Sequence, residues 1–360
     1  MRILPFTECV DLVGSACKPF EGEKNYVSTG AVDTDHIDYE NIEIIDYTGK
    51  PSRANLEVKA GDVLFAKMQG TKKTLLIDEE LANNVYSTGF CAVRAKGDIL
   101  TAKCLYHLLT SEMFLTRKDK NCSGATQKAI TNAGLKKIVL HIPGIRGQEA
   151  IANQLDLIVS IIAERQQELS NLDELIKARF VELFGDPRSN PFGYGKKPLG
   201  STCKVITGNT PSRKVPEYYG EYIEWIKTDN IVSGLLHPTK ASEYLSEQGA
   251  LEGRTVDENA ILMTCIAGSV ASIGRVCVTD RRVSFNQQIN AVVPEQYNIL
   301  FLYILLKISK DYLVEDINMA LKGILSKSKL EEKEFFVPPM ELQNEFAEFV
   351  KQVDKSKVIV

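Results

Sequence analysis

The sequence predicts an α+β protein in which two similar mixed α/β domains are separated by long helices. Three observations carry this: an internal repeat, a helical stretch between the copies, and β-prone runs punctuated by turns within each copy. Asp62-Val63-Leu64 recurs as Asn259-Ala260-Ile261-Leu262, and Ser87-Thr88-Gly89-Phe90 as Ser284-Phe285-Asn286-Gln287. Leu105-Tyr106-His107-Leu108-Leu109 recurs as Leu302-Tyr303-Ile304-Leu305-Leu306, and each of these pairs lies 197 positions apart. The offset then falls to 195, where Ile142-Pro143 answers Val337-Pro338 and Gln148 answers Gln343. A shift held over so many segments means two copies of one domain, each followed by its own helix. The period is far too long for a solenoid.

The helix after the first copy is read from residues 148–185. From Gln148 to Phe184 there is no glycine or proline. Ile151, Leu155, Ile158, Ile162, Leu169, Leu172, Ile176 and Leu183 fall on alternating three- and four-residue steps, with Arg165 and Arg179 at the two stations that break the series. Spacing near 3.5 residues is the coiled-coil signature. Gly185-Asp186-Pro187 stops the helix, because glycine favours a left-handed cap and proline cannot continue the ladder. Arg188 to Gly195 is a turn-rich linker. Leu342, Phe346, Phe349 and Val353 restart the stripe near the carboxyl end. The domain reading is therefore 1–147, a spacer helix 148–185, a second domain 186–340, and a shorter helix 341–360.

Short β-prone runs at Asp62 to Ala66, Phe90 to Arg94, Ala260 to Thr264, Gly274 to Thr279 and Asn290 to Val293 predict a modest sheet in each copy. One helix follows in each, Thr101 to Leu115 and Asn298 to Val314.

Composition narrows the function. With 360 residues, each copy has enough chain for its own core. The eight cysteines form no C-x-x-C pair and there are only four scattered histidines, which argues against a zinc site or a disulfide framework. The amino terminus is too short an apolar stretch for a signal peptide, and Ile299 to Leu306 is too short to span a bilayer. A reduced, soluble, cytoplasmic protein is expected. Net charge is −4, but it is uneven: residues 1–147 carry 19 basic and 18 acidic side chains, 186–340 carry 18 of each, and 148–185 carry 3 against 7. The acidity lies in the helix, so near-neutral domains remain free to concentrate cations on one face.

No catalytic constellation emerges. Asn190-Pro191-Phe192-Gly193-Tyr194 approaches the Asn-Pro-Pro-Tyr motif of amino-methyltransferases, but it lacks the second proline and a glycine-rich cofactor turn, and reads as a linker turn. Gly268 to Gly274 has no following Gly-Lys-Ser/Thr and reads as strand-turn-strand, not a phosphate loop.

The polar loops are more informative. In the first copy Lys67, Gln69, Thr71, Lys72 and Lys73 follow a strand, where Thr264 to Ser272, with Ser269 and Ser272, sits in the second. Asn121 to Lys128, with Ser123, Thr126, Gln127 and Lys128, parallels Asn318 to Leu325, which contains Lys322 and is followed by Lys327. The second copy adds Thr210, Ser212, Arg213 and Lys214, then Lys227, Thr228 and Asn230, and the turn Asn286-Gln287. Any one such loop is ordinarily a solvated turn. Recurring at matching places, they suit DNA: glycine lets backbone approach a phosphate, cations neutralise it, and amides read base edges.

The pieces Gly208-Asn209-Thr210-Pro211, Glu224-Trp225-Ile226-Lys227-Thr228-Asp229-Asn230, Ser284-Phe285-Asn286-Gln287, Pro338-Pro339 with Leu342-Gln343, and Phe184-Gly185-Asp186-Pro187 together resemble the specificity subunit of type I restriction-modification systems. The resemblance covers essentially the whole chain and rests on order and repetition. It implies two target-recognition domains held apart by two helices packed as an antiparallel coiled coil, each domain reading one half of a bipartite DNA site. It implies no catalytic site and no cofactor on this chain. Two methyltransferase subunits would dock and methylate adenine with S-adenosylmethionine, and added motor-endonuclease subunits would use ATP and magnesium. Three departures stand out. The first copy has no Gly-x-Thr-Pro, its Pro143-Gly144 replaces the proline pair, and the second helix is short, leaving the spacer incomplete or finished by another chain. About 34 helical residues at roughly 1.5 Å each make a rod of about 50 Å, equivalent to roughly 15 base pairs. Competing readings are a stand-alone DNA-binding regulator, a solo methyltransferase or nuclease that the missing motifs oppose, and a protein-only coiled-coil adaptor.

Overall fold

The computed structural model of the chain describes residues 2–315, 317 and 323–359. It divides into two units, Met1–Ala163 and Glu164–Val360. Each unit contains the same pair of four-stranded sheets.

In the first unit one sheet is wholly antiparallel, in the order Val10–Val13, Phe90–Ala95, Asp62–Ala66, Thr74–Leu76. The other runs Glu43–Ile45, Lys24–Val27, Val85–Ser87, Ala54–Leu56, and its central pair is parallel. The second unit repeats both. Its antiparallel sheet is Cys203–Thr207, Ile289–Pro294, Ile261–Thr264, Val276–Val278. The other is Tyr244–Leu245, Tyr219–Ile226, Val283–Phe285, Thr255–Val256, again with a parallel centre. Register refines the alignment. Val85 lies opposite Tyr26 where Ser284 lies opposite Trp225, so Val85-Tyr86 is the counterpart of Ser284-Phe285. The match of Ser87 to Ser284 is therefore displaced by two residues, because a local likeness weighs less than a ladder of paired strands.

The central strand explains why apolar runs mark the repeat. Asp62–Ala66 is buried throughout. Its side chains alternate between two cores, as strand geometry demands: Val63 and Phe65 join Phe6, Leu105 and Phe114, while Leu64 and Ala66 join Val27 and Tyr86. In the second unit Ile261 and Met263 face one core and Leu262 the other.

The helix expected at Thr101 to Leu115 is two helices, Ala102–Thr110 and Glu112–Lys120. Ser111 divides them, its backbone extended and its Oγ accepting the Phe114 N–H at 3.3 Å. The second copy breaks at Ser309, between Ile299–Ile308 and Lys310–Val314. Serine competes with the helical ladder for backbone partners, which apolar periodicity does not reveal.

The long helix runs Ile145–Phe184, starting three residues before Gln148. First-turn N–H groups need no intrahelical partner, and Gly147 is tolerated there. Gln148 and Gln343 recur because they do the same job. Gln148 is fully buried; its Oε1 accepts the Thr101 N–H at 2.9 Å, and its Nε2 donates to the carbonyls of Ile99 (2.7 Å) and Pro143 (3.0 Å). Gln343, equally buried, accepts the Asn298 N–H at 2.8 Å and donates to the Pro338 carbonyl at 2.8 Å. Each glutamine pins a spacer helix to the N-cap of its domain helix. Gln148→Leu or Gln343→Leu strands buried backbone groups and is expected to cost about 2–4 kcal/mol. Thermal unfolding should show a loss on the order of 5–15 °C; a shift near zero would contradict the assignment.

Within the second unit, Met340–Ile359 packs antiparallel to the carboxyl part of the long helix. Arg179 meets Glu345 at 3.2 Å, and further back Asp173 accepts from Lys357 at 2.7 Å. Burial tends to raise the Asp173 pKa, but hydrogen bonds and charge from Lys357 and Lys307 prevail and lower it. The buried line here is Ile176, Phe180 and Phe184, at four-residue steps, not the Arg179–Leu183 line of the sequence spacing. Phe180 stacks on Phe301 at 5.5 Å and meets Phe346 edge-on at 5.4 Å. The helix is docked on a domain at this end. Ile151, Leu155, Ile158 and Ile162, toward its start, are each more than a third exposed.

Among the described residues no helix is long and apolar enough to cross a membrane, and no cluster of three or more metal-ligating side chains forms. All eight cysteines are free.

Candidate nucleic-acid interface

In the first unit the strand Asp62–Ala66 delivers the chain to Lys67. Its N–H donates to the Gly89 carbonyl at 3.0 Å, and its own carbonyl accepts from the Ile130 N–H at 2.8 Å. Met68 bridges Ala129, and the Gln69 N–H donates to the Lys128 carbonyl at 2.9 Å. These bonds fasten the 67–73 turn to the hairpin formed by Cys122–Ser123 and Ala129–Ile130. Two loops distant in sequence thus make one surface.

A buried lysine supports that surface from below. Lys118 is 1% exposed and its Nζ donates to the carbonyls of Ala66 (3.3 Å), Met68 (3.1 Å) and Thr71 (2.7 Å). Burial lowers its pKa, while Asp119 opposes the shift. Asp119 Oδ2 also accepts the Gly70 N–H at 3.0 Å, where a left-handed φ of +74° suits glycine. On the outside, Gln69, Lys72, Ser123, Thr126, Gln127 and Lys128 are exposed, and Lys67 and Thr71 half-buried. Lys72 pairs with Glu112 at 2.8 Å, both well exposed. Such a pair contributes only about 0–1 kcal/mol and yields readily to a competing anion. Lys73 differs. It is half-buried and its Nζ donates to the Thr29 carbonyl at 2.8 Å, which makes it first a strut of the loop.

The second unit assembles its surface around the Gly208–Lys214 loop. The Gly208 N–H donates to Ile289 and the Asn209 N–H to Phe285, at 3.0 and 3.1 Å. A side chain at 208 would meet the Asn286 carbonyl at 2.1 Å, so glycine is required. Thr210 Oγ1 donates to Gln287 Oε1, joining this loop to the 286–288 turn. The Ile266 N–H donates to the Gln288 carbonyl at 3.2 Å, bringing in the loop with Ser269 and Ser272, whose hydroxyls lie 3.1 Å apart. The Cys265 N–H donates to Gln288 at 2.8 Å and the Leu325 N–H to Cys265 at 2.9 Å. These repeat the Lys67 bonds to Gly89 and Ile130.

Arg213 and Lys227 converge on Glu243, which accepts from both. The Arg213 guanidinium lies 4.3 Å from the Tyr219 ring and 5.2 Å from Trp225, and the Lys227 ammonium 5.2 Å from Trp225. The Lys227 hydrogen bond lowers the Glu243 pKa most; burial opposes it, and the Arg213 hydrogen bond with the charge of both cations keeps the net shift downward. Ser212 and Lys214 are exposed and Thr228 half-buried.

Two expected reading residues are corrected. Asn230 is 8% exposed; its Oδ1 accepts the Lys227 N–H at 3.0 Å and its Nδ2 donates to Thr239 and Lys240. Asn286 is 6% exposed, accepts from the Gln288 N–H at 3.0 Å and donates to the Gln288 side chain at 3.2 Å. Both shape their loops from within. Lys327 begins the short helix Lys327–Glu332, pairs with Glu331 at 3.5 Å, and has no bond to these loops among the described residues. Lys322 lies outside the described residues. Sequence reasoning passed over Lys118, Tyr219 and Glu243. Trp225, the single tryptophan, lies within Glu224–Asn230 and is the signal the sequence offers for this cluster.

The linker segment behaves as a turn. Asn190 adopts φ +46° and its amide bonds to Tyr194 in both directions, at 2.8 and 3.1 Å.

Comparison with known proteins agrees with the repeat. The family described as type I restriction modification DNA specificity domain matches residues 13–172 and again 191–359. The specificity subunit of the type I restriction enzyme HindI of Haemophilus influenzae (strain ATCC 51907 / DSM 11121 / KW20 / Rd) is 22% identical over 366 aligned positions, covering 80% of this chain and 78% of that protein. Among solved structures, the type I restriction-modification S subunit of M. genitalium aligns with a TM-score of 0.55 at 16% identity, over 99% of this chain and 90% of the other. A chain from a structural study of type I restriction-modification complex assembly and conformational transition aligns at 0.53 and 20% identity, over 99% and 91%. Both share the fold.

Proposed function

The chain belongs to the type I restriction-modification DNA specificity family, and on that premise we propose that each of its domains reads one half of a bipartite duplex site. Residues 1–147 and 186–340 serve as target-recognition domains, with 148–185 and 341–360 as the spacer helices. The observation that carries this reading is the recurrence of one scaffold under different side chains. Equivalent backbone bonds at Lys67 and Cys265 hold equivalent turns, yet the first turn carries Gln69 and Lys72 and the second carries Ser269 and Ser272. Conserved backbone with altered outward chemistry suits two readers of different sequences, since phosphate contacts set register and base contacts set specificity.

The chain acts as a non-catalytic subunit in the cytoplasm. Two methyltransferase subunits dock on it and transfer a methyl group to adenine N6 from S-adenosylmethionine bound on those partners. Restriction motor subunits bring ATP and magnesium. Co-expression with a type I methyltransferase subunit and affinity purification tests the reading: the methyltransferase should co-purify at about two per chain and the assembly should methylate adenine in duplex DNA. Purification of the chain alone, with no DNA affinity that responds to salt, would contradict it.

A further inference from the structure

The convergence of Arg213 and Lys227 on one carboxylate is not what a pair of general phosphate contacts requires. Two cations meant only to neutralise DNA would stand apart in solvent. Here Glu243 offsets one of their two charges and both lie against Trp225, which is 4% exposed and held by its Nε1–H donating to the Asn209 carbonyl at 3.3 Å. Tyr219 is fixed likewise, its hydroxyl donating to the Pro211 carbonyl at 2.6 Å. The Arg213 side chain is nevertheless 55% exposed. A planar guanidinium held by a carboxylate against two fixed rings, with much of its surface in solvent, is a preorganised donor fork.

We propose that Glu243 is a specificity-determining positioning residue, orienting Arg213 to read the two-acceptor edge of a guanine in the half-site of the second domain. Resting on the DNA-reading function above, this assigns Glu243 a second effect. Its negative charge keeps Arg213 and Lys227 from acting as indiscriminate phosphate contacts. A phosphate must compete with the carboxylate for them, whereas a guanine edge presenting O6 and N7 accepts from an arginine fork without displacing its support. Glu243 therefore gives up some affinity for any duplex in return for discrimination.

The test is Glu243→Gln in the full chain with its methyltransferase, titrated against three duplexes: the site defined by the methylome, the same site with the guanine replaced, and a scrambled duplex. Release of the cations should tighten binding to the scrambled duplex and steepen its salt slope by about one to two. Preference for guanine over its replacement should fall on the order of tenfold or more. Arg213→Lys, which keeps the charge and loses the fork, should lose the same preference without the gain on scrambled DNA. Parallel weakening on all three duplexes with a lowered melting temperature would mean a merely structural role and overturn the proposal, as would unchanged preference in either variant. A wild-type assembly with no preference among the three would overturn the DNA-reading premise itself.

Discussion

Replacing Gln69, Lys72, Gln127 and Lys128 together with alanine lowers affinity for the cognate duplex on the order of a hundredfold or more, and the loss separates into two components. The four side chains are exposed, and the loops that carry them are fastened to each other by backbone bonds and to the domain by the buried Lys118. Truncating them removes contacts without removing the scaffold. The lysines alone, as Lys72→Ala with Lys128→Ala, should weaken cognate and scrambled duplexes equally and flatten the salt dependence by about two in slope. The glutamines alone should weaken only the cognate duplex, because amides read base edges. Lys73 is left in place, since its ammonium ties the loop to Thr29. Gel titrations at several salt concentrations measure both components; equal losses on both duplexes from the glutamine pair would remove them from the reading surface.

How far the chain is legible from its residues depends on range. Apolar strands with a strict alternation between two cores, such as Val63, Leu64, Phe65 and Ala66, leave a pattern that survives in a distant copy, so the repeat was readable. The buried glutamines were visible as a recurrence at 195, although only the structure supplies the reason: an amide that satisfies a helix N-cap and a preceding carbonyl at once. Breaks at Ser111 and Ser309 were hidden because apolar spacing continues across them. A 3.5-residue series selects Arg179 and not Phe180, while docking on a domain selects positions four apart, Ile176, Phe180 and Phe184. Asn230 and Asn286 resemble readers in sequence, but an asparagine amide binds its own turn as readily as a base, and local partners win once the chain is folded. Glu243 belongs to a different class: its partners Arg213 and Lys227 lie 30 and 16 residues away, and no spacing rule joins them.

Exchanging residues 186–340 for the matching domain of a relative is expected to change one half of the methylated site completely and leave the other half untouched. The two domains have separate cores, separate sheets and separate reading loops, and each glutamine pin, Gln148 or Gln343, ties a helix to its own domain. No residue of the 67–73 or 122–130 loops is contributed by the exchanged segment. Gln69 and Gln127 on the first domain and Arg213 on the second are the side chains that would carry sequence preference, and the exchanged segment holds only the last of them. Methylome sequencing of cells carrying the chimera with its methyltransferase reads the outcome directly. The predicted result is a new sequence in one half-site with the other preserved; a change in both halves, or in neither, would contradict the account of two independent readers on one chain.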